Sequence, residues 1–454
     1  MPESTRMLTG WGRTAPTASR VLTDPTVETI VEAVRSAGPR GLIARGLGRA
    51  YGDAAQNAGG LVVDMTGLNR IHRVDVDAAL VTVDAGVSLE TLMRRLLPLG
   101  LWVPVSPGTR FVTVGGAIAS DIHGKNHHAD GTFGQHVVSM ELLTASGEIR
   151  TLAPDGPDHD AELFWATVGG MGLTGVVLRA TIRFKRAETA YFVVDTERTT
   201  DLDDLLDRLA RTDHRYPYSV AWIDTVATGA KMGRAVLTRG WPARLEDLSR
   251  RQRRDPLRFE PRQLVPRTPS VFPGGLLNKL TVGAFNELWY RKAPQERRAE
   301  IQHITPFFHP LDMVADWNVV YGPRGFLQYQ FVVPPGAEDT MRRALERISG
   351  SGHVSFLSVL KRFGEANAAP LSFPTPGWTL ALDLPVGGDL GAMLDELDSL
   401  VGEAGGRVYL TKDSRLTPDA LQRMYPRIDE WRKIRAAVDP HGAFSSDLSR
   451  RLAL

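Results

Sequence analysis

The sequence predicts an α+β protein with two domains, on three observations. First, 454 residues suffice for about two to three domains of ~150 residues each. Second, helical and strand-like patterns alternate up to about residue 188, and glycine-rich segments separate them. Third, the glycine clusters thin out from about Tyr191 onward and longer strand-like runs appear, which predicts a domain boundary at this point.

Two helices are predicted early in the chain. Asp24 and Pro25 indicate a helix start, because a capping aspartate followed by proline at the first helical position is a common beginning. Apolar residues then recur on one helical face over residues 27–34. Ser88 is the predicted cap of a second amphipathic helix, over residues 89–96.

Short strands are predicted around these helices. Apolar runs that end in turn residues indicate three strands, at residues 41–44, 61–64 and 80–83. Residues 137–143 and 148–152 flank a Ser146-Gly147 turn and predict a β-hairpin.

The second part of the chain has longer strand-like runs. The predicted strands are at residues 191–194, 326–333 and 380–384, and the predicted helices are at residues 202–209 and 341–348. Residues 244–275 differ from both, because seven arginines between positions 250 and 267 are interleaved with prolines. Proline at this density sustains neither a helix nor a central strand, so we predict a long, mobile, basic loop at 244–275.

Composition excludes several functions. The chain contains no cysteine, which rules out disulfides, a thiolate nucleophile, cysteine-ligated metal centres and a cysteinyl-linked cofactor. The 54 Lys+Arg and 52 Asp+Glu give a net charge of +2, not the basic field that nucleic-acid binding uses. The N-terminus is polar, and no run of ~20 apolar residues is present. We therefore expect no nucleic-acid partner, no signal peptide and no spanning helix.

A first glycine-rich segment follows a predicted strand, at residues 45–53. Glycines let backbone N–H groups approach an anion closely, and Arg45 or Arg49 could add positive charge. The Gly-x-Gly-x-x-x-Gly spacing differs by one residue from the dinucleotide-binding fingerprint, and the Lys-Ser/Thr of a P-loop is absent. The segment predicts either an anion-binding loop or a tight turn with a solvated arginine.

A second segment extends from Pro107 to His128. Small residues dominate from Gly115 to Ser120, so a flat aromatic group could lie against nearly bare backbone. His123 and His127 have the helical spacing of metal ligands, but the glycine and asparagine between them disfavour a helix, and no glutamate occupies the general-base position of a His-Glu-x-x-His site. We expect no metal here; the alternative to a binding role is a capped loop with surface histidines.

A third glycine-rich segment covers residues 166–175 and leads into a predicted strand. Three such loops in one domain are hard to explain as turns alone. Together they predict a large ligand that is held mainly by backbone groups.

A fourth segment, residues 409–415, places Lys412 after a predicted strand and between a carboxylate and an arginine. This trio predicts either a functional lysine or an ordinary surface cluster of ion pairs, which is the commoner fate of such residues.

The four segments together resemble the FAD-linked oxidoreductases of the vanillyl-alcohol-oxidase type, in which a first glycine loop and a later Pro-Gly-Thr…Gly-Gly segment hold the pyrophosphate and the isoalloxazine. The resemblance extends from about Leu8 to Leu452. Five motifs carry it: Gly-Leu-Gly-Arg-x-Tyr-Gly-Asp (46–53), Asp-Ile-His-Gly-Lys-Asn-His-His (121–128), Phe-Leu-Gln-Tyr-Gln-Phe (326–331), Leu-Ser-Phe-Pro-x-Pro-Gly-Trp (371–378) and Lys-Asp-Ser-Arg (412–415).

This resemblance implies a PCMH-type FAD-binding domain at residues 1–188, completed by residues 407–454, and a substrate-binding domain with a mixed or antiparallel sheet at residues 189–406. FAD would be bound non-covalently, because the first loop has no histidine and the second no cysteine to tether it. The flavin contacts implied at matching positions are Arg45, Gly46, Leu47, Gly48, Arg49, Tyr51, Gly108, Thr113, Gly115, Gly116, Ser120, His123, Val176 and Tyr409.

The implied reaction is oxidation of the 2-hydroxyl of decaprenylphosphoryl-β-D-ribose, a polyprenyl-phosphate pentose, to a 2-keto intermediate. This would be the first half of an epimerisation that supplies arabinose for cell-wall arabinan. Lys412 would bind or polarise the hydroxyl or take its proton, and His123 or a lysine would place positive charge near the flavin. The implied substrate contacts are Lys125, Trp222, Gln328, Gln330, Ala381 and Lys412, of which Ala381 stands where mycobacterial relatives carry a cysteine.

The resemblance also implies partners. A separate NADH-dependent reductase would complete the keto-sugar, and the protein would lie peripherally on the inner membrane, at its cytoplasmic or periplasmic face. The arginines of loop 244–275 suit anionic headgroups, although a solvated insertion explains the loop almost as well.

Two other functions remain open at this point. One is a soluble sugar-alcohol or aldonolactone oxidase that uses oxygen. The other is a non-catalytic adaptor on a vestigial flavin fold, against which the presence of both Lys412 and His123 argues.

Overall fold

A computed structural model describes residues 3–261, 263–265, 268 and 277–454. The strands in this part of the chain are β1 Glu3–Leu8, β2 Thr17–Leu22, β3 Leu42–Arg45, β4 Leu61–Asp64, β5 Ile71–Asp75, β6 Leu80–Asp84, β7 Leu101–Trp102, β8 Val137–Leu143, β9 Ile149–Leu152, β10 Val176–Arg183, β11 Lys185–Arg186, β12 Tyr191–Thr199, β13 Tyr218–Ile223, β14 Ala235–Pro242, β15 Glu296–His303, β16 Phe326–Val333, β17 Ser358–Phe363, β18 Gly377–Pro385 and β19 Arg407–Val408. The α-helices are α1 Val27–Arg35, α2 Leu89–Leu96, α3 Val114–Ala119, α4 His127–Asp130, α5 Asp158–Thr167, α6 Leu202–Thr212, α7 Lys279–Lys292, α8 Ile304–Phe308, α9 Glu338–Gly350, α10 Leu390–Glu403, α11 Pro418–Met424, α12 Ile428–Val438 and α13 Asp447–Leu452.

The first part of the chain forms two principal sheets. One has the order β1-β2-β4-β3, with β1 antiparallel to β2 and the other neighbours parallel. The other is antiparallel with the order β5-β6-β10-β8-β9. Ile30 and Val34 of α1 pack in one apolar cluster with Val63 of the first sheet and Leu178 of the second. Burial of this cluster therefore holds the two sheets together.

The predicted start of α1 is wrong by two residues. The helix begins at Val27, and Thr26 caps it, because the Thr26 hydroxyl accepts from the Thr29 N–H at 3.3 Å while the Thr29 hydroxyl accepts from the Thr26 N–H at 2.9 Å. This reciprocal pair satisfies two free donors of the first turn and outweighs the proline signal at Pro25. The predicted cap of α2 is confirmed, with the Ser88 hydroxyl accepting from the Thr91 N–H at 3.1 Å.

The predicted strands agree with the structure to within about one residue in the first part of the chain. β3, β4 and β6 correspond to the three predicted short strands, and β8 pairs with β9 as the predicted hairpin. The α+β class with an antiparallel sheet in the second part is thereby confirmed.

The second part forms one antiparallel sheet with the order β15-β12-β14-β13-β17-β18-β16-β19. The strand predicted at residues 326–333 has the same bounds as β16, whereas the strands predicted at 191–194 and 380–384 are shorter than β12 and β18. Helices α6, α9 and α10 bury their apolar side chains against one face of this sheet. The opposite face is left for a cavity, which several of the strands line.

The sheets of the first part end at Arg186, and the large sheet begins at Tyr191. The two-residue strand β19 adds the last strand of the large sheet, and the chain then returns to the first part, where Phe444 bridges Leu42. The domain limits 1–188, 189–406 and 407–454 stay predictions.

Loop 244–275 is only partly within the described residues. Its described part holds two 3₁₀ turns, Leu245–Asp247 and Gln252–Arg254, and neither an α-helix nor a β-strand, as predicted. Leu248 and Phe259 are buried, so this part packs on the domain beneath it. Residues 262, 266–267 and 269–275 of the loop, and its predicted mobility, lie outside what the structure describes.

An arginine near the C-terminus connects the first glycine segment with the fourth segment. Arg451 donates to the Asp53 carboxylate at 2.8 and 2.9 Å and to the Asp413 carboxylate at 2.9 Å. The Asp413 carboxylate is almost fully buried, and the Arg451 guanidinium is its ion-pair partner there.

We expect Arg451→Ala to lower the free energy of unfolding by about 3 kcal/mol, because it leaves the buried Asp413 carboxylate with two backbone donors but without its cation. The measurement is urea unfolding of the purified protein with its ligands in place. The matched control is Arg73→Ala, which removes the exposed ion pair with Asp75 and should cost less than ~1 kcal/mol. Equal small losses for both variants would contradict the role assigned to Arg451.

Candidate active site

A cavity of about 580 Å³ lies where the four sequence segments meet. This volume is in the range of about 300–1,000 Å³ that ligand and cofactor sites occupy. The first part of the chain contributes its glycine-rich loops to the walls, and β13, β14, β16, β17 and β18 of the large sheet contribute side chains from the other side.

The cavity brings together the residues that the sequence singled out, with one exception. The predicted residues that line it are Arg45, Gly46, Leu47, Gly48, Arg49, Tyr51, Gly108, Thr113, Gly115, Gly116, Ser120, His123, Lys125, Trp222, Gln328, Gln330, Ala381, Tyr409 and Lys412. Val176 does not line it, since its side chain packs with Leu143 and Leu178 in the core between the sheets. Its neighbours Gly175 and Val177 face the cavity instead, because alternate residues of a strand point to opposite sides.

Both arginines of the first segment are held by the protein. The Arg45 guanidinium donates to the Thr9 and Ala55 carbonyls, each at 2.8 Å, and so connects the first glycine-rich segment to residues on either side of it in the chain. The Arg49 guanidinium lies 3.8 Å from the centre of the Trp11 ring and donates to the Phe111 carbonyl at 3.2 Å. The alternative of a turn with a solvated arginine is therefore wrong, because both side chains are committed to contacts.

The first and second segments touch directly. A Cβ at Gly46 would lie 2.1 Å from the Thr113 hydroxyl oxygen, so only glycine fits at this position. The same hydroxyl accepts from the Gly116 N–H at 3.2 Å and caps α3. The third segment joins them, because the Gly169 and Met171 N–H groups each donate at 2.9 Å to carbonyls of α3. The three glycine-rich loops thus form one continuous backbone wall.

The fourth segment contacts all three of these loops. The Tyr51 N–H donates to the Thr411 carbonyl at 2.9 Å, and the Tyr409 hydroxyl donates to the Ser120 carbonyl at 2.7 Å. The Thr411 hydroxyl lies 3.9 Å from the sulfur of Met171. The segment that carries Lys412 is therefore fastened to the wall of the cavity, and the surface-cluster alternative for it is wrong.

His123 is a buried, neutral histidine with one unpartnered ring nitrogen. The Gln330 amide donates to its Nε2 at 3.0 Å, which leaves the ring proton on Nδ1. Burial, with smaller effects of Lys361, His127 and Lys412, lowers the pKa of His123 well below its ordinary value. Among the described residues, none accepts a hydrogen bond from Nδ1. A buried donor without an acceptor is costly, so Nδ1 is suited to a bound ligand.

Lys412 lies beside an aromatic ring and a buried carboxylate. Its Nζ is 3.8 Å from the centre of the Tyr51 ring. Burial lowers the pKa of Lys412 to about 7, although the Asp383 carboxylate opposes this shift and Lys361 reinforces it. Burial in turn raises the pKa of Asp383 to about 7, against the opposing effects of Gln328, Lys412 and Tyr321. Lys412 is thus poised to exchange a proton near neutral pH.

Two further lysines face the same space. Lys125 donates to the Phe307 carbonyl, and Lys361 of β17 lines the cavity beside it. Burial lowers the pKa of Lys125 to about 7, with a further contribution from Lys361, and burial alone lowers the pKa of Lys361 to about 8. An anion bound beside these two lysines would raise their pKa values again and favour their protonated forms. This part of the cavity therefore suits an anionic ligand.

The sequence prediction missed Lys361 and Asp383. Asp383 interrupts the apolar run of β18 and accepts from Gln328, its cross-strand neighbour, and from the Tyr321 hydroxyl at 3.4 Å. A lone carboxylate in an otherwise apolar strand was the available signal, because such a group is retained only where it is paired. Lys361 gave a weaker signal, since a lysine in a short strand is ordinarily exposed.

The helical spacing of His123 and His127 is not realised. α4 begins at His127, whose Nδ1 accepts from the Gly364 N–H at 3.1 Å, while His123 lies outside that helix and bridges Thr132. Within the described ranges, no cluster of three His, Asp or Glu side chains could hold a metal ion.

The cavity residues fit a flavin nucleotide. The wall of glycine-rich backbone leaves room for a flat ring, since a Cβ added at Gly108 would meet nothing within 4 Å. The unpartnered Nδ1 of His123 offers a donor to a polar ring edge. Arg49 lies at the first loop, where a pyrophosphate would need a cation. These residues could therefore hold FAD through backbone groups and a small number of side chains.

Comparisons with known protein families agree with this geometry. Residues 19–153 match the family described as FAD binding domain. Residues 386–452 match the family described as D-arabinono-1,4-lactone oxidase. The first stretch contains the glycine-rich segments at residues 45–53 and 107–128, and the second contains the segment with Lys412. The loop at residues 166–175 lies outside both stretches.

Three curated relatives extend the match to the whole chain. L-gulono-1,4-lactone dehydrogenase of Mycobacterium tuberculosis is 23% identical over 96% of both chains. An uncharacterized protein from the mprA 5'region of Streptomyces coelicolor is 40% identical over 81% of this chain and all of its own. Decaprenylphosphoryl-β-D-ribose oxidase of Mycolicibacterium smegmatis is 55% identical over all of this chain and 98% of its own. The chain therefore belongs to the decaprenylphosphoryl-β-D-ribose oxidase family, a branch of the FAD-linked oxidoreductases of the vanillyl-alcohol-oxidase type.

Proposed function

We propose that this protein is an FAD-dependent oxidoreductase that oxidises the 2-hydroxyl of decaprenylphosphoryl-β-D-ribose to the 2-keto compound. The observation that carries the proposal is the convergence of Lys412 and the unpartnered Nδ1 of His123 on one cavity walled by glycine-rich loops. The name of the relative at 55% identity supports the substrate. When bound, FAD supplies a hydride acceptor for the oxidised carbon.

Lys412 is the residue that handles the hydroxyl proton in this proposal. Its lowered pKa gives a substantial neutral fraction near pH 7, and a neutral amine can accept a proton that an ammonium cannot. The contact with Tyr51 keeps the amine on one side of the cavity. The fixed position of the segment around Thr411 maintains that geometry during the reaction.

His123 orients a ligand without adding charge. Because Gln330 fixes the ring through Nε2, the Nδ1–H group points to one place in the cavity. A neutral donor of this kind can stabilise negative charge that develops on a ring edge or on an oxygen.

Lys125 and Lys361 are the proposed contacts for the phosphate of the substrate. Two lysines with lowered pKa values in a buried space bind a phosphate strongly, because the anion removes their mutual repulsion. Trp222, Gln328 and Ala381 complete the lining on the side of the large sheet.

Partners and location follow from the same proposal. A 2-keto sugar on a lipid phosphate requires a reductase, and we propose an NADH-dependent enzyme as that partner. We also propose peripheral contact with the inner membrane, since the substrate is a lipid and exposed arginines such as Arg254 lie in loop 244–275. None of the helices in the described part of the chain combines the length and apolar character that a bilayer crossing requires.

Non-covalent attachment of FAD is a first testable prediction. Denaturing the purified protein should release all of the yellow colour into a protein-free filtrate, because the chain offers no cysteine and the first loop no histidine for a covalent bond. Absorbance of filtrate and retentate measures the partition. Colour that stays on the chain would contradict the prediction.

A second prediction concerns Lys412. Lys412→Ala should retain FAD but reduce flavin with decaprenylphosphoryl-β-D-ribose at least ~100-fold more slowly, the usual scale for loss of a proton-transfer group. Anaerobic stopped-flow absorbance gives the rate. The control is Lys433→Ala, an exposed lysine of α12, which should behave as wild type. Near-normal reduction by Lys412→Ala would reject the assigned role.

A third prediction separates the base from a charged donor. Asp383→Asn removes the carboxylate that raises the pKa of Lys412, so the pKa of Lys412 should fall further. If neutral Lys412 takes the proton, the acid limb of the pH–rate profile for flavin reduction moves to lower pH, by about one unit. The exposed Asp389→Asn serves as the control. If Lys412 instead acts in its protonated form, the rate falls on the alkaline side, and it is this alkaline limb that moves to lower pH in Asp383→Asn; that result would contradict the assigned role.

A further inference from the structure

Helix α7 exposes two rows of apolar side chains, although it also buries Val282 together with Asn286 on its inner side. Leu280, Ala284 and Leu288 are spaced four residues apart and form one exposed row, with Leu280 81% and Leu288 68% exposed. Phe285 and Trp289 form an adjacent exposed row, with ring centres 6.1 Å apart. These five residues are here called the α7 apolar face. Helices of soluble proteins bury such rows and expose their polar residues.

The inner side of α7 is fastened by polar contacts. The Asn286 amide donates to the Asp224 carboxylate at 2.8 Å, and the Tyr290 hydroxyl donates to the Thr199 carbonyl at 3.0 Å. Arg234 forms an ion pair with Glu287 at 2.7 Å and with Asp224 at 2.8 Å. The helix is therefore held in this orientation, and its apolar face is not free to turn inward.

The α7 apolar face lies at the cavity. Trp289 lines the cavity, as does Gln263 of the neighbouring loop. Leu264 and Val265 follow Gln263 in the chain and are also exposed, and Val265 bridges Val314, another lining residue. Exposed apolar side chains on α7 and on the loop at residues 263–265 therefore lie next to residues that line the cavity.

Cationic side chains accompany this face. Lys279 begins α7, and Arg291 and Lys292 end it, so positive charge stands at both ends of the apolar rows. A helix with exposed leucines, an aromatic pair and flanking basic residues has the features of a segment that lies in the interface of a bilayer with anionic lipids.

We propose that the α7 apolar face, with Leu264 and Val265, docks on an anionic membrane surface and places the cavity opening at the level of the lipid headgroups. A lipid-phosphate substrate would then enter the cavity without its chain crossing water. This inference rests on the proposed function for its biological purpose, but the docking itself can be tested without substrate.

The first experiment measures binding of the FAD-loaded protein to vesicles of phosphatidylcholine mixed with phosphatidylglycerol, by flotation. The double variant Leu280→Gln, Leu288→Gln should bind at least ~10-fold more weakly, because two exposed leucines no longer insert. The matched control is Leu99→Gln, Ile149→Gln, which removes two exposed apolar side chains from the first part of the chain and should bind as wild type. Vesicles of phosphatidylcholine alone should bind the wild type more weakly, since they lack the anionic headgroups.

The absence of native cysteine permits a second measurement. In Leu288→Cys the single thiol can carry an environment-sensitive fluorophore, whose emission should shift to the blue on the mixed vesicles. The same fluorophore at Ile149→Cys should not shift. Because position 288 is already exposed, the label tests insertion without disturbing the core.

The outcomes separate the alternatives. Unchanged vesicle binding by the leucine variant, or equal shifts at positions 288 and 149, would overturn the proposal. So would a wild type that is a dimer in solution and a leucine variant that is a monomer, since the face would then join two copies.

Flavin reduction by detergent-dispersed substrate should be unchanged in the leucine variant. If the wild type binds vesicles through this face but the substrate does not reduce its flavin, the proposed function fails and the docking surface stands.

Discussion

The attachment of the C-terminal segment to the glycine-rich loops is the constraint on which the site depends. Residues far apart in the chain, such as Tyr51 and Thr411, meet through a backbone hydrogen bond of 2.9 Å. The approach is so close that a Cβ at Gly52 would lie 2.0 Å from the Asp413 carbonyl oxygen. Arg451 then neutralises the carboxylates on both sides of this contact. A lysine that is proposed to handle a proton is useful only where its position is fixed, and this contact fixes Lys412 relative to the glycine-rich wall.

Burial sets the chemistry of the cavity. Lys125, Lys361 and Lys412 share a space of low polarity in which their charged forms are disfavoured. The neutral His123 and Asp383, whose own pKa is raised to about 7, supply little negative charge beside these lysines. The site is therefore electrostatically incomplete without an anionic ligand, which is the property expected of a pocket for a phosphate and a dinucleotide.

Much of the site was accessible from sequence, for a physical reason. Loops that hold a ligand by backbone need glycine at specific positions, and residues such as Gly46 are visible as clusters in the sequence. Lys412 stood out because the residues around it are ionisable. Lys361 and Asp383 were missed, because only the register of β17 and β18 shows that these side chains face Lys412 and its surroundings. Val176 does not line the cavity although Gly175 and Val177 do, because along a strand one residue reverses the side to which a side chain points.

The fold was predicted best where local signals act alone. The Ser88 cap and the β8–β9 hairpin depend only on neighbouring residues, and both were predicted correctly. The cap of α1 was predicted at Asp24 from the proline that follows it, but the reciprocal hydrogen bonds of Thr26 and Thr29 start the helix at Val27 instead. The orientation of α7 could not be read from its sequence, since the apolar rows alone predict that they are buried. The hydrogen bonds of Asn286 and Tyr290 hold the polar side of α7 against the protein, so the apolar rows face outward. The orientation of α7 is therefore set by tertiary polar contacts, which its own sequence does not reveal.

The central claim is that one cavity holds the flavin and the lipid-phosphate pentose together, with Lys412 at the hydroxyl. The visible spectrum of the wild-type protein during anaerobic titration with decaprenylphosphoryl-β-D-ribose tests it most directly. The account predicts loss of the oxidised-flavin absorption at one equivalent of substrate per flavin, and no loss with a free pentitol. An unchanged flavin spectrum with the lipid phosphate, or equal bleaching by the free pentitol, would contradict it.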